Sequence, residues 1–141
     1  MLFRSANGAA GHADGNDIGT GKSFTENGVT LKIENASKVY DGAKDATGKS
    51  CIKIGASSTA GSFSFTVDED VTKVVIMVAK YKAKTTKITV NGTQYTINTS
   101  SNDGAYTAIE IDTTSTKTVT VSTVSGATRA MIDSITWVIE K

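Results

Sequence analysis

Thr72-Lys73-Val74-Val75-Ile76-Met77-Val78-Ala79-Lys80-Tyr81-Lys82 carries the longest unbroken apolar run of the chain, residues 74–79. No Gly or Pro interrupts it, and β-branched side chains dominate it, which favours a strand over a helix. In a strand, Val75, Met77, Ala79 and Tyr81 point one way and Val74, Ile76, Val78 and Lys80 the other. A strand apolar on both faces needs cover on both, or cover on one face and a groove on the other. The stretch therefore reads as a central strand with the other strands laid around it.

The pattern on either side agrees. Val29, Leu31 and Ile33 alternate with Thr30, Lys32 and Glu34, the signature of a half-buried strand. Cys51 to Gly55 reads as a strand with Ile52 and Ile54 on one face. The run 62–67 alternates strictly, which places Phe63, Phe65 and Val67 in the core. Asp68-Glu69-Asp70 is an acidic turn. Residues 86–91 and 93–98 flank Asn91-Gly92, the signal of a type I′ hairpin. Three later segments follow, with Ile109 and Ile111, then Val119 and Val121, then Ile135, Trp137 and Ile139 inward. Residues 35–50 are polar and read as a long loop, a kind of segment that tends to be functional or mobile. Apolar residues nowhere recur at helical spacing over three turns. Roughly nine to eleven short strands with turns between them describe an all-β, two-sheet antiparallel β-sandwich.

The totals bound the rest. A chain of 141 residues is one domain with room for a core. Residues 1–21, rich in Gly and Asx, read as a flexible N-terminal segment or linker, and residues 22–141 as the β-sandwich domain. Fifteen basic and 14 acidic residues leave a formal charge of +1, so the footprint of a nucleic-acid binder is missing. No apolar segment has the length of a membrane span. A single cysteine, Cys51, excludes an internal disulfide. The first residues lack the apolar core of a signal peptide. The expectation is a cytoplasmic protein or a module cut from a longer secreted chain.

With the strands placed, the chain from about Gly28 onward resembles the galactose-binding-like and carbohydrate-binding jelly-roll modules appended to secreted bacterial nucleases, glycan-degrading enzymes and adhesins. The resemblance rests on Gly28-Val29-Thr30-Leu31, Gly61-Ser62-Phe63-Ser64-Phe65-Thr66-Val67, residues 74–81, Ile88-Thr89-Val90-Asn91-Gly92, Thr118-Val119-Thr120-Val121 and Arg129-Ala130-Met131-Ile132-Asp133-Ser134-Ile135. It covers about four-fifths of the chain. It implies a jelly roll, a secreted or cell-surface setting, and a catalytic or anchoring domain on the same parent chain. These motifs are structural and speak to fold more than to ligand.

The residue inventory argues against catalysis. The one histidine, His12, lies in the N-terminal segment, and Cys51 sits among strand isoleucines. No Ser/His/Asp or Cys/His arrangement can be built without His12. For metal, Asp14, Asn16 and Asp17 offer oxygen ligands at short spacing, which suits Ca²⁺ and not Zn²⁺. The distal Glu of an EF-hand loop is missing. The resemblance implies a structural Ca²⁺ where the N-terminal loop meets the last strand, with Asp133 or Glu140 contributing. A disordered polar tail is the competing reading.

For sugar, aromatic rings supply stacking faces and a few polar groups take the hydroxyls. Tyr40, Tyr81 and Tyr106 stand beside loops or at element ends, with Lys80, Lys82, Asn102, Asp103 and Arg129 as polar companions. Trp137 and Tyr95 alternate with aliphatic residues and read as packing. Arg129 either pairs with Asp133 or an upstream carboxylate, or takes a ligand carboxylate or hydroxyl pair. The many outward Thr residues follow no regular T-x-T repeat, so they are ordinary strand residues and not an ice-binding array. The sequence therefore leads to a non-catalytic carbohydrate-binding accessory module that targets its parent protein to a polysaccharide. The binding residues expected are Tyr40, Lys80, Tyr81, Lys82, Tyr106 and Arg129. The alternative is a structural or protein-interaction sandwich of a surface protein or a phage particle.

Overall fold

The computed structural model describes residues 2–4, 23–26, 29–44, 48, 50–81, 84–97 and 106–139. Twelve strands are described: β1 (Leu2–Arg4), β2 (Ser23–Glu26), β3 (Val29–Ser37), β4 (Val39–Lys44), β5 (Ser50–Ile54), β6 (Ser62–Val67), β7 (Val71–Lys80), β8 (Thr86–Val90), β9 (Thr93–Ile97), β10 (Thr107–Asp112), β11 (Thr118–Thr123) and β12 (Ala130–Ile139). They form two sheets. One runs β10-β7-β12-β5-β4, with β1 also on β12, and the other runs β2-β3-β6-β11-β8-β9. Every pairing is antiparallel. From β5 to β7, and again from β9 to β12, the chain steps between the sheets at each strand, the winding of a jelly roll.

The alternation read from residues 72–82 holds. Val74, Ile76 and Val78 are fully buried between the sheets. They pack with Ile52, Ile54, Ile132, Ile135 and Trp137 of their own sheet, against Leu31, Ile33, Phe63, Phe65, Ile88, Val90, Val119 and Val121 of the other. Val75 and Met77, on the outer face, are half-buried. Trp137 is a core residue, 2% exposed. The hairpin between β8 and β9 turns on Asn91 (φ 47°) and Gly92 (φ 85°), the left-handed pair a type I′ turn requires. Of the segment 1–21, Leu2–Arg4 pair with residues 134–136 of β12; the rest lies outside the described residues.

One expectation fails. Of residues 35–50, expected as one long loop, 35–37 close β3, 39–44 form β4 and Ser50 opens β5. Two irregularities hide them. The β3–β6 register shifts between Ile33 and Asn35, and the β4–β5 register shifts between Tyr40 and Ala43. Each breaks the period-two pattern on which a strand is recognised. Between them Lys38 takes a left-handed φ of 55°, and the chain passes there from one sheet to the other. Corners where a chain switches sheets are made by such bends.

That corner is tightly built. Gly55 N–H donates to the Lys38 carbonyl at 2.7 Å. Gly61 and Thr123 exchange backbone N–H and hydroxyl contacts, with Gly61 N–H on Thr123 Oγ1 at 2.9 Å and Thr123 N–H on the Gly61 carbonyl at 2.9 Å. A Cβ on Gly55 (φ +86°) would lie 1.6 Å from the Thr128 carbonyl oxygen. The backbone there has no room to move, because Thr128 Oγ1 is itself bonded to the Ala56 carbonyl at 2.6 Å. At the opposite end Lys117 Nζ reaches the carbonyls of Glu69 and Val71 at 2.9 and 2.7 Å. In the turn after β10, the Thr114 hydroxyl and N–H both donate to Asp112, which holds its carboxyl below the usual aspartate range.

Gly55→Ala is expected to destabilise the fold by about 2–4 kcal/mol, combining left-handed strain with overpacking. Urea unfolding against Gly92→Ala measures it, since a Cβ on Gly92 meets nothing and only the strain of its turn is added.

Candidate functional site

The outer face of the β10-β7-β12-β5-β4 sheet carries a second, small cluster of buried apolar residues. Cys51, Ala79 and Met131 are at most 1% exposed, and Ala43, Tyr81 and Tyr106 pack against them. Strand register explains the grouping. Met131 pairs with Ala79 on one side and Lys53 on the other, Lys53 pairs with Tyr40, and Cys51 pairs with Ala43. The Cys51 thiol points to the Ala43 carbonyl at 3.5 Å. A buried thiol in apolar company is a small packing group, not a nucleophile.

Around this floor aromatic rings and cations alternate. Lys53 Nζ lies 4.1 Å from the centroid of the Tyr40 ring and 5.6 Å from that of Tyr81. The Arg129 guanidinium lies 4.2 Å from the Tyr81 centroid, over the ring. The row is therefore Tyr40, Lys53, Tyr81, Arg129, drawn from β4, β5, the end of β7 and the start of β12. All four are half-buried, with stems on apolar surface and polar ends at its edge.

A single hydroxyl ties the row to its loops. Thr86 is fully buried. Its Oγ1 accepts the Tyr81 N–H at 3.4 Å and sits 3.4 Å from the Lys84 carbonyl and 3.2 Å from the Arg129 carbonyl, the two acceptors for its one proton. Lys84 N–H closes the turn onto the Tyr81 carbonyl at 3.2 Å. Beyond Arg129 the loops after β5, β7 and β11 enclose an open pocket of about 230 Å³. It is lined by Ser57, Lys84, Thr85 and residues 126–129.

Of the residues expected from sequence, Tyr40, Tyr81 and Arg129 come together in the row, and Tyr106 packs on the same floor. Lys80 does not join them: it stands beside Ala130 on the face of Val74, Ile76 and Val78. Lys82 lies outside the described residues, as do Asp14, Asn16, Asp17, Glu140 and His12. Asp133 is half-buried, at the register shift between Ile132 and Ser134 of β12. Among the described residues no three His, Cys, Asp or Glu side chains gather as a metal site would need. Sequence reasoning missed Lys53, Lys84, Thr86 and the Cys51/Ala79/Met131 floor. Lys53 was within reach, because its alternation with Ile52 and Ile54 puts it on the outer face; its meeting with Tyr40 and Tyr81 depends on register.

No protein-family profile and no curated protein matches the sequence. Among solved structures the chain is similar to CsCBM6-3 from Clostridium stercorarium in complex with cellobiose. The identity is 14%, the TM-score 0.45, and the match covers 99% of this chain and 94% of that one. It is similar to an exo-β-1,3-galactanase from Phanerochaete chrysosporium with β-1,3-galactotriose, at 13% identity and a TM-score of 0.43, over 86% of this chain and 30% of that one. TmCBM61 in complex with β-1,4-galactotriose matches at 17% identity and a TM-score of 0.40, over 78% of this chain and 88% of that one. At these identities and TM-scores the matches carry no ligand or role to this chain, and both rest on its own side chains.

Thr86→Val, nearly isosteric, is expected to lower stability by about 1–3 kcal/mol through loss of the buried hydroxyl's bonds with the Tyr81 N–H and with one of the two carbonyls. Thr86→Ser should recover most of that. Chemical denaturation of the two variants side by side measures the difference.

Proposed function

We propose that the chain is a non-catalytic carbohydrate-binding module of a longer secreted or cell-surface protein, and that it binds glycans across the Tyr40–Lys53–Tyr81–Arg129 row. The observation that carries this reading is the alternation itself. A sugar ring offers apolar C–H faces bordered by hydroxyl edges. A surface that alternates aromatic rings with hydrogen-bond donors matches both at once. The Tyr40 and Tyr81 centroids lie within about 10 Å of each other, so two neighbouring residues of a polymer can engage the row together. The chain supports binding more than turnover. Cys51 is buried, and the row holds no carboxylate pair for acid–base work. The role that follows is targeting: a module held on a polysaccharide raises the local concentration of whatever is linked to it.

A panel of soluble and insoluble polysaccharides, tested by affinity electrophoresis and pull-down, decides the matter. Retention on at least one glycan is expected. Tyr81→Ala should weaken that retention about tenfold or more, as loss of a central aromatic anchor does, while the circular dichroism melt still shows a folded sandwich. Retention on no glycan, with self-association in solution, would replace this reading with that of a structural or protein-interaction sandwich.

A further inference from the structure

The two cations of the row are partnered by rings and not by acids. Among the described residues the ion pairs are Lys32–Glu34 at 3.8 Å, on the other sheet, and Lys73–Glu110 at 3.4 Å, toward the opposite end of β7. Lys53 and Arg129 have no carboxylate within ion-pair distance among the described residues, and Arg129 also walls the loop pocket. Among the described residues that pocket of about 230 Å³ is lined by Lys84 and Arg129 as its charged residues, with Ser57, Thr85 and Thr128 hydroxyls around them and no acid. The excess is local, since the whole chain carries only +1.

The donor and acceptor inventory then decides the ligand. Lysine and arginine only donate hydrogen bonds; hydroxyls do either. Recognition of a neutral sugar draws on acceptors as well as donors, because each sugar hydroxyl does both. The charged groups here supply donors alone, and a guanidinium fork fits an oxyanion in two-point contact. We propose that the ligand is an acidic polysaccharide. Its sugar rings lie along the row beside Tyr40 and Tyr81, and its oxyanion sits at the pocket mouth between Arg129 and Lys84. This rests on the carbohydrate reading above and adds the substrate class. A uronate carboxylate and a sulfate ester share the required chemistry.

The test titrates the full chain with polygalacturonate, the same polymer fully methyl-esterified, a neutral galactan and a sulfated galactan, each at low and high NaCl. Polygalacturonate is expected to bind about tenfold tighter than its methyl ester at low salt. High salt should close most of that gap, because half-exposed charges are screened. Lys84→Gln, at an exposed position, is expected to lower polygalacturonate affinity about threefold and to change methyl-ester affinity less. Tighter binding of the sulfated galactan than of polygalacturonate would assign the site to sulfate esters, and the reverse to uronates; both support an acidic ligand. Equal affinity for acid and ester, or an equal loss on both in Lys84→Gln, overturns the inference and leaves the carbohydrate reading standing. Binding to none of the four polymers, nor to any other glycan of the wider panel, removes both.

Discussion

The double-sided apolar character of β7 is the constraint from which the rest follows. Its inner row, Val74, Ile76 and Val78, is covered by the facing sheet. Its outer row faces away from that sheet, and among the described residues no third layer covers it. Burial of apolar surface is the main favourable contribution to folding, so the outer strip has to be shielded by side chains at its margins. Tyr81 and Tyr106 pack onto Cys51, Ala79 and Met131, and Tyr40 and the stems of Lys53 and Arg129 border them. The platform thus exists because the strand needed a lid. The small side chains Ala43, Cys51 and Ala79 keep that lid low.

The same end of the sandwich is its most constrained. The close approach of Gly55 and Gly61 to Lys38, Thr123 and Thr128 locks the corner where β3 passes into β4. Thr86 fixes the start of β12 against the end of β7 from inside. A binding row works when its side chains are held in place before the ligand arrives, which lowers the ordering cost of association. Here the Tyr81 N–H and the Arg129 carbonyl are both tied to the fully buried Thr86 hydroxyl.

Much of this was legible in the sequence, and the limits have physical causes. Strict alternation at residues 62–67 and 118–121, the apolar run at 74–79 and the Asn91-Gly92 turn placed most of the core, because burial on one face imprints period two directly on the chain. Residues 35–44 escaped because register irregularities in β3 and β4 shift the period, and a shifted strand looks like polar loop. For the site, Tyr40, Tyr81 and Arg129 were visible as aromatic or charged residues at element ends. Lys80 was attractive only by adjacency to Tyr81, yet neighbours in a strand point to opposite faces. Lys53 and the floor beneath it are products of cross-strand register, β4 on β5 and β5 on β12, which no local pattern encodes.

The choice of partner for the cations closes the argument. At the far end of β7 the ammonium of Lys73 is matched by Glu110, an arrangement that neutralises charge and occupies a donor. At the site end Lys53 and Arg129 rest on tyrosine rings instead. A ring holds a cation through its quadrupole at about 0.5–1 kcal/mol in an exposed setting, enough to bias the side chain toward one place. It leaves the net charge intact and need not consume the outward N–H donors. A carboxylate in the same position would have given comparable order and removed what an incoming oxyanion needs. Ordering by aromatic contact therefore keeps the donors ready while restricting the side chains that carry them, and this is the physical sense in which the tyrosines would serve both the fold and the proposed ligand.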